Sequence, residues 1–70
     1  MTITINQIHI KDCYIELSQD KYSNAFKVSL SKNNGADVYR TILSNTYIDI
    51  KKAKSCFNRY KRGAKNGLYS

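Results

Sequence analysis

The chain has 70 residues, an apolar fraction of 41% and a net charge of +7. That length allows a single domain, residues 1–70, with a marginal core and no cleft between domains. The apolar fraction argues against disorder, and no apolar run approaches the ~18 residues of a membrane span.

The first ten residues, MTITINQIHI, alternate apolar and polar over Ile3 and Ile5, but Ile8 and Ile10 have the opposite parity. Either a strand with a bulge or a short strand followed by a turn at Asn6-Gln7 accounts for the slip. This segment lacks a basic leader and an uninterrupted apolar core, so it does not read as a signal peptide. DCYIEL alternates cleanly, with Cys13, Ile15 and Leu17 on one face and Tyr14 and Glu16 on the other. SQDKYSN is rich in turn formers and reads as a connection. AFKVSLS alternates again, placing Phe26, Val28 and Leu30 opposite Lys27 and Ser29. Asn34-Gly35 is the strongest hairpin signal, because both residue types accept the positive φ of a tight turn. VYRTIL follows as a returning strand with two conflicting apolar parities, Val38 and Ile42 against Tyr39 and Leu43.

After Leu43 the period changes to the helical one. Thr46, with Asp49 three residues later, predicts a helix start. Ile50, Ala53, Phe57, Tyr60 and Ala64 then form an apolar stripe, with Cys56 at its margin. The predicted helix covers about 47–63, ended by Gly63 or Gly67, and 64–70 is expected to be a loose tail. The predicted fold is α+β: an antiparallel meander of three to four strands, within about 2–44, packed against one C-terminal helix.

Enzyme chemistry finds no support. His9 is the lone histidine and reads as a solvent-facing or edge-strand residue, since a metal site needs more ligands than His9, Cys13 and Cys56 supply at this spacing. The carboxylates are scattered, the serines have no base, and the three glycines form no phosphate loop. No catalytic residue, metal ligand or cofactor is assigned. The two cysteines read as reduced, buried thiols of a cytoplasmic protein.

The charge is informative through its placement. In residues 1–50, Lys11, Lys21, Lys27, Lys32 and Arg40 balance Asp12, Glu16, Asp20, Asp37 and Asp49. The whole excess lies in Lys51, Lys52, Lys54, Arg59, Lys61, Arg62 and Lys65, with no acid among them. Such segregation points to an anionic partner, whereas a merely solubilising surface mixes its signs. The candidate nucleic-acid contacts are those seven side chains together with Asn58, with DNA or RNA phosphate or an acidic protein surface as the partner. Tyr14 and Tyr39, on an open sheet face, are candidates for stacking on bases. A membrane-surface helix is the weaker reading, because the apolar stripe is needed to cover the sheet.

The order of three strands and a C-terminal helix resembles the arm-site DNA-binding domains of tyrosine recombinases. In that family the sheet enters the groove, which implies that Tyr14, Glu16, Lys27 and Ser29 would face DNA. Glu16 is a carboxylate on that surface, so the site is not carried over. Size and composition are also similar to small accessory proteins of phages and mobile elements, including anti-CRISPR proteins. The reading drawn is a small non-enzymatic nucleic-acid-binding protein of a phage or mobile element. The alternative is an inhibitor or adaptor docking on a host nucleoprotein enzyme. The conflicting parities of VYRTIL add a homodimer to the candidate assemblies.

Overall fold

A computed structural model describes residues 2–33, 35 and 38–69. Four strands, β1 (Thr2–Ile10), β2 (Cys13–Asp20), β3 (Phe26–Asn33) and β4 (Tyr39–Tyr47), precede one helix, α1 (Ile50–Lys65). The strands form one antiparallel sheet in sequence order, a meander, with the helix across one face. The fold is thus the α+β class that the change of period predicts.

Alternation in the two central strands builds the core. Ile15 pairs with Leu30 and Leu17 with Val28 across β2 and β3. These side chains and Cys13 meet Ala53, Cys56, Phe57, Tyr60 and Ala64 of the helix. Ile15, Val28, Leu30 and Ala53 have no exposed surface at all. Burying a branched aliphatic side chain this completely contributes about 1.5–3 kcal/mol each, which is where a chain this short finds its stability. Among the described residues, no buried side-chain polar atom lacks a partner. Ser31, for instance, shares a hydrogen bond of 3.1 Å with Thr41.

Two bulges resolve the conflicting parities. In β1 the register slips between Thr4 and Asn6, so Ile5 is the extra residue. Ile3 before it and Ile8 and Ile10 after it therefore share the helix side, Ile8 opposite Ile15 and Ile10 opposite Cys13. In β4 the slip lies between Thr41 and Leu43, which makes Ile42 the extra residue. Leu43 and Tyr47 face the core, whereas Val38 and Ile42 remain 58% and 47% exposed.

Three sequence expectations need correction. Ser18, Gln19 and Asp20 are strand rather than turn, because Thr4 and Ser18, and Ser18 and Lys27, occupy one continuous ladder. The turn starts at Asp20, whose carboxylate accepts hydrogen bonds from the Tyr22 N–H at 3.0 Å and the Ser23 hydroxyl at 3.1 Å. These two donors, the backbone one first, hold its pKa below the ordinary value. Second, Thr46 is not a helix cap: β4 continues to Tyr47, because β3 offers Lys27 and Phe26 as partners for Thr46 and Tyr47. Asp49 is the N-cap, and its carboxylate accepts from the Lys51 N–H at 2.9 Å.

The third correction concerns the end of the helix. Gly63 lies within α1, buried against the Tyr69 ring, and the helix runs to Lys65. Gly67, at φ +73°, terminates it. The Leu68 N–H donates to the Gly63 carbonyl at 2.8 Å and the Gly67 N–H to the Ala64 carbonyl at 3.2 Å, a Schellman motif. Tyr69 then packs edge-on against Tyr60 with ring centroids 6.3 Å apart, so residues 66–69 are fastened rather than loose. At the β3–β4 hairpin, Asn34 lies outside the described residues. Gly35 has the expected positive φ, +90°, and its N–H donates to the Asn33 side chain at 2.8 Å.

Candidate nucleic-acid interface

The helix fastens by one side and presents the other. Ala53, Cys56, Phe57, Tyr60, Gly63 and Ala64 are buried. At 100° per residue they occupy about one third of the circumference. Lys51, Lys52, Lys54, Asn58, Arg59, Arg62 and Lys65 are exposed, and Lys61 is half-buried at the rim. All eight predicted contacts therefore lie on one element and one surface. Asn58, Lys61, Arg62 and Lys65 line a shallow surface depression of about 220 Å³. Lys51 and Lys54 continue this surface toward the helix N-terminus.

Electrostatics within the helix are one-sided. The first turn holds no acid beyond the Asp49 cap, and Lys51 and Lys52 sit there against the positive end of the helix dipole. Arg62 and Lys65 in the last turn are favourably placed. Lys61 and Lys65, four residues apart, repel each other. Among the described residues no ion pair relieves any of these charges. A helix selected only for stability would carry carboxylates in its first turn and mixed signs along its face.

Beneath this surface a small polar cluster sets the helix over β4. The Asn45 amide donates to the Tyr60 hydroxyl at 2.6 Å and lies 4.0 Å from the Cys56 sulfur. Burial, then the hydrogen bond and charge of Cys56, push Tyr60 up to about 12, although the Asn45 contact acts in the opposite direction. The hydrogen bond to Cys56 and burial also raise Tyr47, while Arg59 lowers it. Cys13 and Cys56 are buried free thiols, as their apolar positions predict.

The face of the sheet away from the helix is not covered by any described element. His9 is exposed on the edge strand β1. Three rings meet on that open face. His9 and Tyr14 lie 4.6 Å apart, His9 and Tyr39 5.8 Å, and Tyr14 and Tyr39 6.2 Å. The sequence marks Tyr14 and Tyr39 as outward-facing candidates, but not His9 as their neighbour. Only the pairing of His9 with Tyr14, together with the β4 bulge, brings the three together. Among the described residues no group of three or more His, Cys, Asp or Glu side chains could hold a metal ion. No described helix is long and apolar enough to cross a membrane. Compared with protein-family models, with curated proteins and with solved structures, the chain gives no match.

Proposed function

We propose that this is a small non-enzymatic binding protein that contacts nucleic-acid phosphate through the outer surface of α1. The observation that carries the reading is the acid-free, unpaired run of seven cations on a helix whose other side is committed to the core. From Lys51 to Lys65 the helix spans about 21 Å. Phosphates recur about every 3.4 Å along each strand of a duplex, so that length passes about six of them there and fewer along an extended single strand. Neutralising them releases condensed counterions and relieves the repulsion within the helix. Asn58, among the cations, supplies a neutral donor and acceptor for a sugar or base edge. The charge segregation and small size fit an accessory protein of a phage or mobile element acting in the cytoplasm.

Gel-shift assays over a salt series test this. Binding at low salt that weakens steeply as salt rises is the expected result. Absent or salt-insensitive binding would sink the reading.

A second reading, an inhibitor or adaptor docking on an acidic surface of a host nucleoprotein enzyme, is favoured by the edge strand. Ile42 on β4 and Val38 just before it are 47% and 58% exposed at this unpaired edge. The same edge suits a homodimer. A pull-down from nuclease-treated lysate separates the readings: partners lost with the nucleic acid favour phosphate binding, and one retained protein favours docking. Light scattering reports the dimer.

A further inference from the structure

We infer that the open sheet face is a second contact surface whose ligand is unpaired bases of single-stranded nucleic acid, stacked on His9, Tyr14 and Tyr39. This rests on the nucleic-acid reading of α1 and specifies which form of nucleic acid the protein takes. The rings come from three strands and stand together on a face that no described element covers. Tyr39 is 42% exposed. The Tyr14 hydroxyl donates to the Gln7 side chain, which fixes that ring in place before any ligand arrives. Every base has a π-face, and stacking on such rings is worth about 1–3 kcal/mol per base. The exposed Thr41 hydroxyl, paired with the buried Ser31 hydroxyl on the neighbouring strand, borders the rings with a group able to hydrogen-bond a base edge.

Charges of both signs stand near the rings: Asp12 shares the β1–β2 hairpin with Lys11, and Glu16 shares the open face of β2 with Tyr14, its carboxylate accepting a hydrogen bond from the Thr4 hydroxyl at 2.7 Å. Lys11 lies in the β1–β2 hairpin, and Lys32 pairs with both Cys13 and Arg40. All three cations therefore sit at the end of the sheet that holds His9, Tyr14 and Tyr39. At the opposite end lie Asp20, Lys21, Lys27 and the Asp49 cap. The helix joins the two surfaces. It leaves β4 through two residues and returns along the sheet, with Cys56 and Tyr60 over Asn45. Arg62 and Lys65 extend beyond that point toward the ring-bearing end. Lys32 and Arg40 share the helix-side parity of Cys13, so they lie on the route from the helix cations around the end of the sheet to the rings.

The molecule measures 34 × 22 × 15 Å. A duplex, stiff over about 50 nm, does not fold around a body this thin. A single strand does, with its phosphates on the cations and its bases turned onto the rings. The competing account of the rings is that they merely stabilise the sheet as cross-strand pairs, worth about 0.2–1 kcal/mol each.

Fluorescence anisotropy with labelled single strands of about 12 nucleotides, a length within usual site sizes, separates the two accounts. The arms are single-stranded DNA, the matched RNA, the matched duplex, and an abasic strand with the same number of phosphates. The expected result is tighter binding of the base-bearing single strands than of the abasic strand by about tenfold. Tyr39→Leu should remove most of that advantage without changing abasic binding, and Tyr39→Phe should restore it. Tyr39 is an exposed edge residue, and unchanged far-UV circular dichroism certifies the variant's fold. Equal affinity for base-bearing and abasic strands, tighter binding of the duplex, or an affinity unmoved by Tyr39→Leu would overturn the stacking inference while leaving phosphate binding by α1 intact. No binding to any arm at low salt would overturn both.

Discussion

Lys52 is the third residue of α1, the position where a glutamate would complete a capping box with the Asp49 cap. It carries the wrong charge for the helix dipole there. Replacing it by glutamate removes an unfavourable interaction and installs a favourable one, each about 0.3–1 kcal/mol at an exposed site and low salt. Repulsion from Asp49 takes back part of this, leaving a gain of about 1 kcal/mol. In a domain of this size that raises the thermal midpoint by about 4–8 °C. Differential scanning calorimetry or circular dichroism melts at low ionic strength read the shift. It should shrink at high salt, where the Debye length falls to about 3 Å. The same Lys52→Glu protein should bind nucleic acid more weakly, because the surface loses a cation and gains an anion. A thermal midpoint that stays put or falls at low salt would refute the placement of the helix start and the claim that its lysines oppose stability. Unweakened binding would remove Lys52 from the interface.

Other consequences follow from the same contacts. Gly67→Ala forces a side chain into the left-handed conformation at φ +73°, and chemical denaturation should show a loss of about 1–2 kcal/mol. Tyr60 ionises from a folded pKa raised from 10.0 to about 12, so its contribution to stability is complete below pH 10 and is lost as pH rises toward 12. Tyr14 and Tyr47 are also raised, so the latest component of the tyrosinate absorbance titration is the one Tyr60→Phe should remove, and a Tyr60 titrating at its ordinary value instead would contradict the buried cluster. Cys13 and Cys56 are 3% and 1% exposed. Both should resist a thiol reagent in the native state and react at the rate of unfolding, whereas rapid modification of either would contradict its burial.

Periodicity carried the core and left the ends of elements undetermined. Cys13, Ile15 and Leu17, and Phe26, Val28 and Leu30, alternate so regularly that their shared face is readable from the chain. The helical stripe from Ala53 to Ala64 is equally legible, and with it the cationic surface opposite. Strand length is a different matter, because it depends on the partner. Thr46 looks like a cap only until β3 offers Lys27 as its neighbour. Ser18 looks like a turn residue until it is seen between Thr4 and Lys27. A broken alternation signals a bulge, as at Ile5, but whether the chain bulges or turns is decided by the strand beside it. The helix stop needs contacts as well as composition: Gly63 and Gly67 are the same residue type, one pressed against Tyr69 and the other in the left-handed region. The His9–Tyr14–Tyr39 cluster joins residues up to thirty positions apart and exists only in the register.

The central claim is that the cations of α1 meet phosphate, and the salt dependence of binding tests it most directly. Anisotropy titrations of one oligonucleotide at several salt concentrations give the slope of log K against log salt. Each phosphate contact contributes about 0.7 for a single strand and about 0.9 for a duplex. Replacing Lys51, Lys54 and Arg59 together by glutamine should weaken binding to all sequences alike and make the slope shallower by about 2–3. A triple variant that binds with the wild-type slope would contradict the account, because the helix surface would then carry none of the phosphate contacts assigned to it.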